Sequence, residues 1–205
     1  MKHLICLLLL GIGGAAAAVA ENSPTPRTVI ADTIDRVVKV VEAMPGDDQK
    51  KARHVKLRAI IAPRFDFKEM SKRSLGLIWN SRTPEERDEF VKLFSDLLAT
   101  TYLNRIDSIQ RKTVKIDKEK VVGDRAVVNT MVTHKGSKFP IDYKMLLRGP
   151  GDWQVYDVSI ENIGLVVNYR SEFAGIIRKH EFSGLMTKLR EKTLGMGISS
   201  TEQDR

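Results

Sequence analysis

Residues 65–106 read FDFKEMSKRSLGLIWNSRTPEERDEFVKLFSDLLATTYLNRI, and their second half decides the fold. Thr83-Pro84-Glu85-Glu86 is a helix start. The threonine hydroxyl can accept a backbone N–H, proline suits the first helical position, and Glu86 can reach back to the cap residue's own N–H. Beyond it, Phe90, Phe94, Leu97, Leu98, Thr101, Tyr102 and Ile106 recur at three- and four-residue spacing. Two Phe rings and a Tyr therefore share one face, with Glu86, Arg87, Lys92 and Asp96 mostly elsewhere. A helix of about 25 residues is roughly 37 Å long.

The chain has 205 residues, 42% of them hydrophobic, enough for one domain with a core and thin for two. Residues 1–20 do not count toward that core. Lys2 and His3 precede the apolar run Leu4–Leu10, and Ala18-Val19-Ala20 forms an A-x-A cleavage site before Glu21. This is the pattern of a cleaved secretory signal peptide, too short for a membrane span. The single cysteine, Cys6, lies inside it. The mature chain, 21–205, then has no cysteine and no use of disulfide or thiolate chemistry. The formal charge is +8; losing Lys2 leaves 33 basic against 26 acidic residues, or +7. A mildly basic exported chain without basic–aromatic interleaving is not expected to bind nucleic acid. Weak attraction to anionic membranes or acidic partner faces is the functional reading of that charge.

The rest of the chain changes period once. Thr25-Pro26 starts a first helix with Ile30, Ile34, Val37, Val41 and Met44 on one face, ended by Pro45-Gly46. A second runs from Asp47 or Asp48 to Ile61, stopped by Pro63. Asp66 caps a third, carrying Phe67, Met70, Leu75, Leu77, Ile78 and Trp79. Strands follow at Thr113–Ile116, Arg125–His134, Lys138–Arg148 and Trp153–Ile160, with short links that make an antiparallel meander. Glu161–Gly164 turns out of the sheet. A helix from Leu165 to about Lys179 presents Val166, Tyr169, Phe173, Ile176 and Ile177, and Ser183 caps a short last one. Residues 195–205 read as a frayed tail. The layout is α+β in a single domain: a four-stranded antiparallel sheet with helices packed back on it. The apolar content leaves two options, a large solid core or a cavity between helices and a curved sheet.

Catalytic signatures are missing. His54, His134 and His180 lie on separate elements, and no H-E-x-x-H, G-x-S-x-G, C-x-x-C, P-loop or dinucleotide fingerprint occurs. Asp66 is better used as a cap than as a base. Asp157 alternates with apolar residues and reads as a buried acid bonded to backbone or to Arg170. No enzyme activity, metal or cofactor is expected. The residues point to a binding or carrier protein, with an enzyme acting on a small apolar substrate, or a binding module for another small apolar ligand, as the alternative.

Two stretches carry more than pattern. One is Phe65-Asp66-Phe67 with Met70, Leu75-Gly76, Trp79, Thr83-Pro84, Arg87, Phe90, Phe94, Leu97-Leu98 and Thr101-Tyr102. The other is Trp153-Gln154-Val155-Tyr156-Asp157-Val158, Ile160-Glu161, Gly164-Leu165-Val166, Asn168-Tyr169-Arg170 and Phe173. With the signal peptide and the size, these resemble the MlaC family, also called toluene-tolerance auxiliary proteins. One departure is Asn162, where the family usually has glycine in this turn; asparagine tolerates φ > 0.

The resemblance implies an NTF2-like fold with a curved sheet against helices, holding phospholipid tails as cargo. It implies a periplasmic, monomeric shuttle between an outer-membrane lipoprotein–porin complex and an inner-membrane ABC transporter bearing an MCE-domain ring. Face assignment and the family layout together give an expected cavity lining: Leu75, Trp79, Phe94, Leu98, Tyr102, Val128, Val132, Ile141, Tyr143, Met145, Val158, Ile160, Val166 and Phe173. Strand faces are the sensitive part, since a one-residue slip reverses them. Lys144, Arg148 and Arg170 are expected near the mouth as docking cations, with Arg170 alternatively bridged to Asp157.

Overall fold

The computed structural model describes residues 23–107, 113–134 and 136–202; the expected signal segment lies outside them. Helices α1 (Pro26–Ala43), α2 (Lys50–Ile61), α3 (Phe67–Leu75) and α4 (Pro84–Ile106) come first. Strands β1 (Val114–Val122), β2 (Arg125–His134), β3 (Ser137–Leu147), β4 (Trp153–Ile160) and β5 (Ile163–Gly164) follow, then α5 (Leu165–Glu202). The arrangement is the NTF2-like α+β layout. Among the described residues no helix is long and apolar enough to cross a membrane.

Helix starts follow local capping chemistry. The Thr83 hydroxyl accepts the Glu86 N–H at 3.2 Å, and the Glu86 carboxylate accepts the Thr83 N–H at 3.0 Å. Thr25 accepts from Thr28 N–H at 3.2 Å, and Asp66 from Glu69 N–H at 2.8 Å. The third helix is shorter than its apolar pattern. It ends at Leu75, and Gly76–Ser81 forms a 3-10 turn, because Gly76 takes φ 59° and ψ −131°. Helix α5 is broken at Glu181 (φ 59°), close to the expected junction before Ser183. Its backbone stays helical to Glu202, where fraying from 195 was expected; residues 203–205 lie outside the described residues.

The sheet is antiparallel in the order β1-β2-β3-β4-β5. Its fifth strand corrects the expectation of four. Glu161 and Asn162 both take positive φ (52° and 68°), a two-residue turn that folds Ile163 and Gly164 back onto β4. Strand β1 runs past Ile116 to Val122 through Asp-Lys-Glu-Lys, whose charges suit an exposed edge but hide the strand from an apolar pattern. The Arg27 guanidinium covers its Ile116 and Asp117 carbonyls at 3.2 and 3.3 Å. The opposite edge is covered where Asp66 N–H reaches the Val155 carbonyl at 2.9 Å.

A β-bulge in β4 sets which side chains face the helices. Met145 pairs with Val155 but Lys144 pairs with Asp157, so Tyr156 is the extra residue. The bulge lets Trp153 and Val155 share a face with Val158, and all three join one core cluster. Asp157 then points the other way. Its carboxylate takes Lys144 Nζ at 2.9 Å and the Val166 N–H at 3.0 Å, at the first turn of α5. A carboxylate at a helix N-terminus is electrostatically favoured. Gly164 allows the approach, since a Cβ there would stand 3.1 Å from the carboxylate. The partner of Asp157 is thus Lys144 and backbone, and not Arg170.

The remaining apolar contacts form distinct groups. Phe90 and Phe94 of α4 meet Tyr169, Phe173 and Phe182 of α5 with ring centroids 5.1–6.3 Å apart, several edge-on. Val29 and Ile30 of α1 cover Ala126, Val128, Met145, Trp153 and Val155 of the sheet. Val37, Leu57 and Leu103 join α1, α2 and α4. A polar clamp closes the same helix junction. Buried Arg53 binds both oxygens of Asp107 at 2.8 and 3.1 Å and the Met44 and Gly46 carbonyls at 2.8 Å; His54 Nε2 lies 2.8 Å from Asp107.

Two outcomes follow from these contacts. Thr83→Ala removes the α4 cap, which costs about 1 kcal/mol, so the melting temperature should fall by about 2–4 °C in a chain of this size. Burial works to raise the Asp107 pKa, but hydrogen bonds and charge from Arg53 and His54 outweigh it and hold the carboxyl below its ordinary value. That stabilisation is present above the unfolded carboxyl's pKa of about 4 and is lost as pH falls through the lower folded value. Asp107→Asn should therefore melt lower than the parent at pH 7, with a shallower loss of stability on acidification below about pH 4. Thermal melts across pH check both.

Candidate functional site

The second half of α4 does not rest on the sheet. Between them lies an open cavity of about 740 Å³. The roof is Ser95, Leu98, Ala99, Tyr102, Leu103 and Ile106 of α4, with Ile61 and Ala62 at the end of α2. The floor is Val132 of β2, Phe139, Ile141 and Tyr143 of β3, and Val158 and Ile160 of β4. Phe65, Phe67, Met70 and Leu165 close one side. Polar side chains gather where α4 and the strands end: Asn104, Arg105, Thr113, Thr133 and Glu161, with Arg58, which is ion-paired to Asp96.

The cavity exists because cover of the sheet is uneven. Helix α1 fills the half of the inner face that holds Ala126, Val128 and Met145. Further along the same strands, Val132, Ile141 and Ile160 border the void. The aromatic wedge between α4 and α5 fixes α4 at its first half, so its second half spans the gap.

The expected lining separates into two sets. Leu98, Tyr102, Val132, Ile141, Tyr143, Val158 and Ile160 line the cavity. Leu75, Trp79, Phe94, Val166 and Phe173 lie instead in the solid core between α3, α4 and α5, and Val128 and Met145 lie under α1. These seven, expected in the lining, stand outside it. Periodicity marked the right apolar faces but carried no information on which part of a face another helix covers. Phe65, Phe67, Met70, Phe139 and Leu165 line the cavity and were not anticipated. Phe139 had a readable signal, since it alternates with Ile141 and Tyr143 on β3.

The chemistry of the lining is that of a solvent for hydrocarbon. Its inner polar groups are the Ser95 hydroxyl and the phenols of Tyr102 and Tyr143, and burial raises the pKa of both phenols. Tyr169, behind Tyr102, is pushed up to about 12, chiefly by burial. All three are neutral at physiological pH. Asp157 is not among the residues that line the cavity; its carboxylate is bonded to Lys144 Nζ and the Val166 N–H. Among the described residues, no group of three or more His, Cys, Asp or Glu side chains is arranged to hold a metal ion. The expected docking cations Lys144 and Arg148 are already paired, with Asp157 and with Asp66 and Glu69 respectively.

Known proteins share this architecture. A solved structure of a phospholipid-binding protein from Ralstonia solanacearum, in complex with a phospholipid, matches with a TM-score of 0.73 and 26% identity, covering 82% of this chain and 97% of the other. The intermembrane phospholipid transport system binding protein MlaC of Haemophilus influenzae is 22% identical over 181 residues, 85% of this chain and 84% of that protein. A toluene tolerance protein of Pseudomonas putida is 25% identical over 179 residues, 84% and 82% of the two chains. The family model described as MlaC protein matches residues 31–191. The chain belongs to the MlaC family.

Proposed function

We propose that this chain is a periplasmic phospholipid carrier whose cargo tails occupy the cavity between α4 and the sheet. The observation that carries the reading is the cavity itself. Its volume, about 740 Å³, falls within the roughly 300–1,000 Å³ range of small-molecule sites, and its inner wall is hydrocarbon with two phenols and the Ser95 hydroxyl. The structural relative that shares the fold is a phospholipid complex. The roof from Ser95 to Ile106 is about 18 Å long at 1.5 Å per residue. That length suits acyl chains lying along α4 with the headgroup at the polar end, beside Asn104, Arg105, Thr133 and Glu161.

The energetics fit a shuttle. Each methylene moved from water into an apolar site gains about 0.8 kcal/mol, so two chains of about 16 carbons would cost roughly 25 kcal/mol to hold in water. A carrier must hide nearly all of that surface. A lipid leaving a bilayer exchanges one hydrocarbon setting for another, so loading and release are near balance and direction comes from partners. In this reading the partners are an outer-membrane lipoprotein–porin complex and an inner-membrane ABC transporter with an MCE-domain ring. Their docking contacts are modest in area, as a two-ended shuttle requires.

A pair of substitutions tests the cavity. Ile141→Asp places a carboxylate where there is open space and a route to water. It should expel the tails, abolishing phospholipid recovered by solvent extraction, while lowering the melting temperature only slightly. Val128→Asp buries a charge in packed core under α1 and should destabilise the fold by more than about 4 kcal/mol. If Ile141→Asp keeps a full complement of phospholipid, the tails do not lie in this cavity.

A further inference from the structure

The two stretches that carry the family resemblance contain Leu75-Gly76 and Tyr169-Arg170. Leu75 and Tyr169 are explained by burial in the aromatic core. Gly76 and Arg170 are explained neither by core nor by cavity. Arg170 is exposed, and among the described residues it makes no hydrogen bond or ion pair. Arg53, Arg58, Arg73, Arg148 and Arg190 each hold a carboxylate, whereas Arg64, Arg125 and Arg178 share with Arg170 the lack of one among the described residues.

Arg170 is nevertheless held in place. Its guanidinium lies face-on to Gly76, where a Cβ would stand 3.0–3.2 Å from Nη2, Cζ and Nε. Gly76 has φ 59° and ψ −131°, a region that side-chain-bearing residues rarely enter. The backbone is thus bent into a glycine conformation at the point where the cation packs on it. Fixing a guanidinium beforehand lowers the entropy lost when it binds a carboxylate in fork geometry.

Exposed apolar residues lie near this cation along the chain. Leu77, next to Gly76, is 83% exposed, and Val167 and Ile163 are each 64% exposed. Val167 and Arg170, three residues apart, share a face of α5. Ile163 lies two residues beyond Glu161, which lines the cavity. The band therefore runs from the cavity rim along α5 to Gly76 and Leu77.

We infer that this band is the docking face for a partner protein that presents an apolar surface with a carboxylate for Arg170. The inference rests on the carrier reading and adds to it the place where cargo is handed over. Arg170 and, at the band's edge, the carboxylate of Glu161 have no ion pair among the described residues, and one cation beside an acid does not suit an anionic membrane, which recruits clusters of lysine and arginine. It suits a protein face, where one Arg among apolar contacts can dominate binding. Contact beginning at the rim also keeps a departing tail out of water.

The test uses the full mature chain and the purified outer-membrane and inner-membrane complexes of the same bacterium, immobilised separately. Arg170→Glu and Val167→Glu should each weaken binding to at least one complex tenfold or more. Both should keep parental melting temperature and extractable phospholipid. Lys39→Glu, on exposed α1 surface, should bind within twofold of the parent. The inference is overturned if both band variants bind both complexes like the parent, or if the parent binds neither. It is also overturned if Arg170→Glu abolishes binding to phosphatidylglycerol vesicles and leaves binding to the complexes intact. Loss of the carrier reading would show separately, as a parent without extractable phospholipid.

Discussion

The structure depends on one aromatic wedge. Phe90 and Phe94 on the first half of α4 interlock with Tyr169, Phe173 and Phe182 on α5, and this contact fixes where α4 can go. Ring pairs of this kind add about 0.5–1.5 kcal/mol each beyond the area they bury. Because the first half of α4 is anchored to α5, its second half is carried over the sheet without settling on it. One helix thus belongs to two environments, a dry packed core and the wall of a void. A helix with apolar side chains on both sides has no single stripe, as expected for an element placed between two apolar regions.

Asp157 makes the companion contact on the other side of the sheet. The β4 bulge turns it outward, and its carboxylate joins Lys144 to the first turn of α5. That joint sets the angle at which α5 leaves the sheet, and so the position of the rings that α5 contributes to the wedge. From the sequence this buried acid reads as bonded to backbone or to Arg170. Its bonds to Lys144 and to the Val166 N–H make it a structural joint.

Much of the fold was legible because its signals are local. Thr83-Pro84-Glu85-Glu86 and Thr25-Pro26 mark helix starts through hydrogen bonds made within one turn. Alternation marks β2 and β3 because each has one face turned inward. The failures have physical causes too. Strand β1 is longer than Thr113–Ile116 because an edge strand can be built from Asp, Lys and Glu, which carry no apolar alternation. Strand β5 is only two residues long and depends on two left-handed residues, Glu161 and Asn162. The division of the site was the least legible part. Phe94 and Leu98 are four residues apart and both join the core between α4 and α5, yet only Leu98 also borders the void. Val128 and Val132 repeat the same divergence on β2. What separates them is the position of α1 and α5, distant in sequence, and no spacing rule contains it.

The central claim is that hydrocarbon fills the void and only the void. The most direct measurement is a map of magnetisation transfer between acyl-chain protons and methyl groups in the purified, methyl-labelled protein with its co-purified lipid. Contacts are predicted at Leu98, Val132, Ile141, Val158 and Ile160, with none at Leu93, Leu185 or Leu189, which lie in packed core. Acyl contacts confined to surface methyls such as Leu194 and Val55, with silence at Ile141 and Val132, would contradict the account.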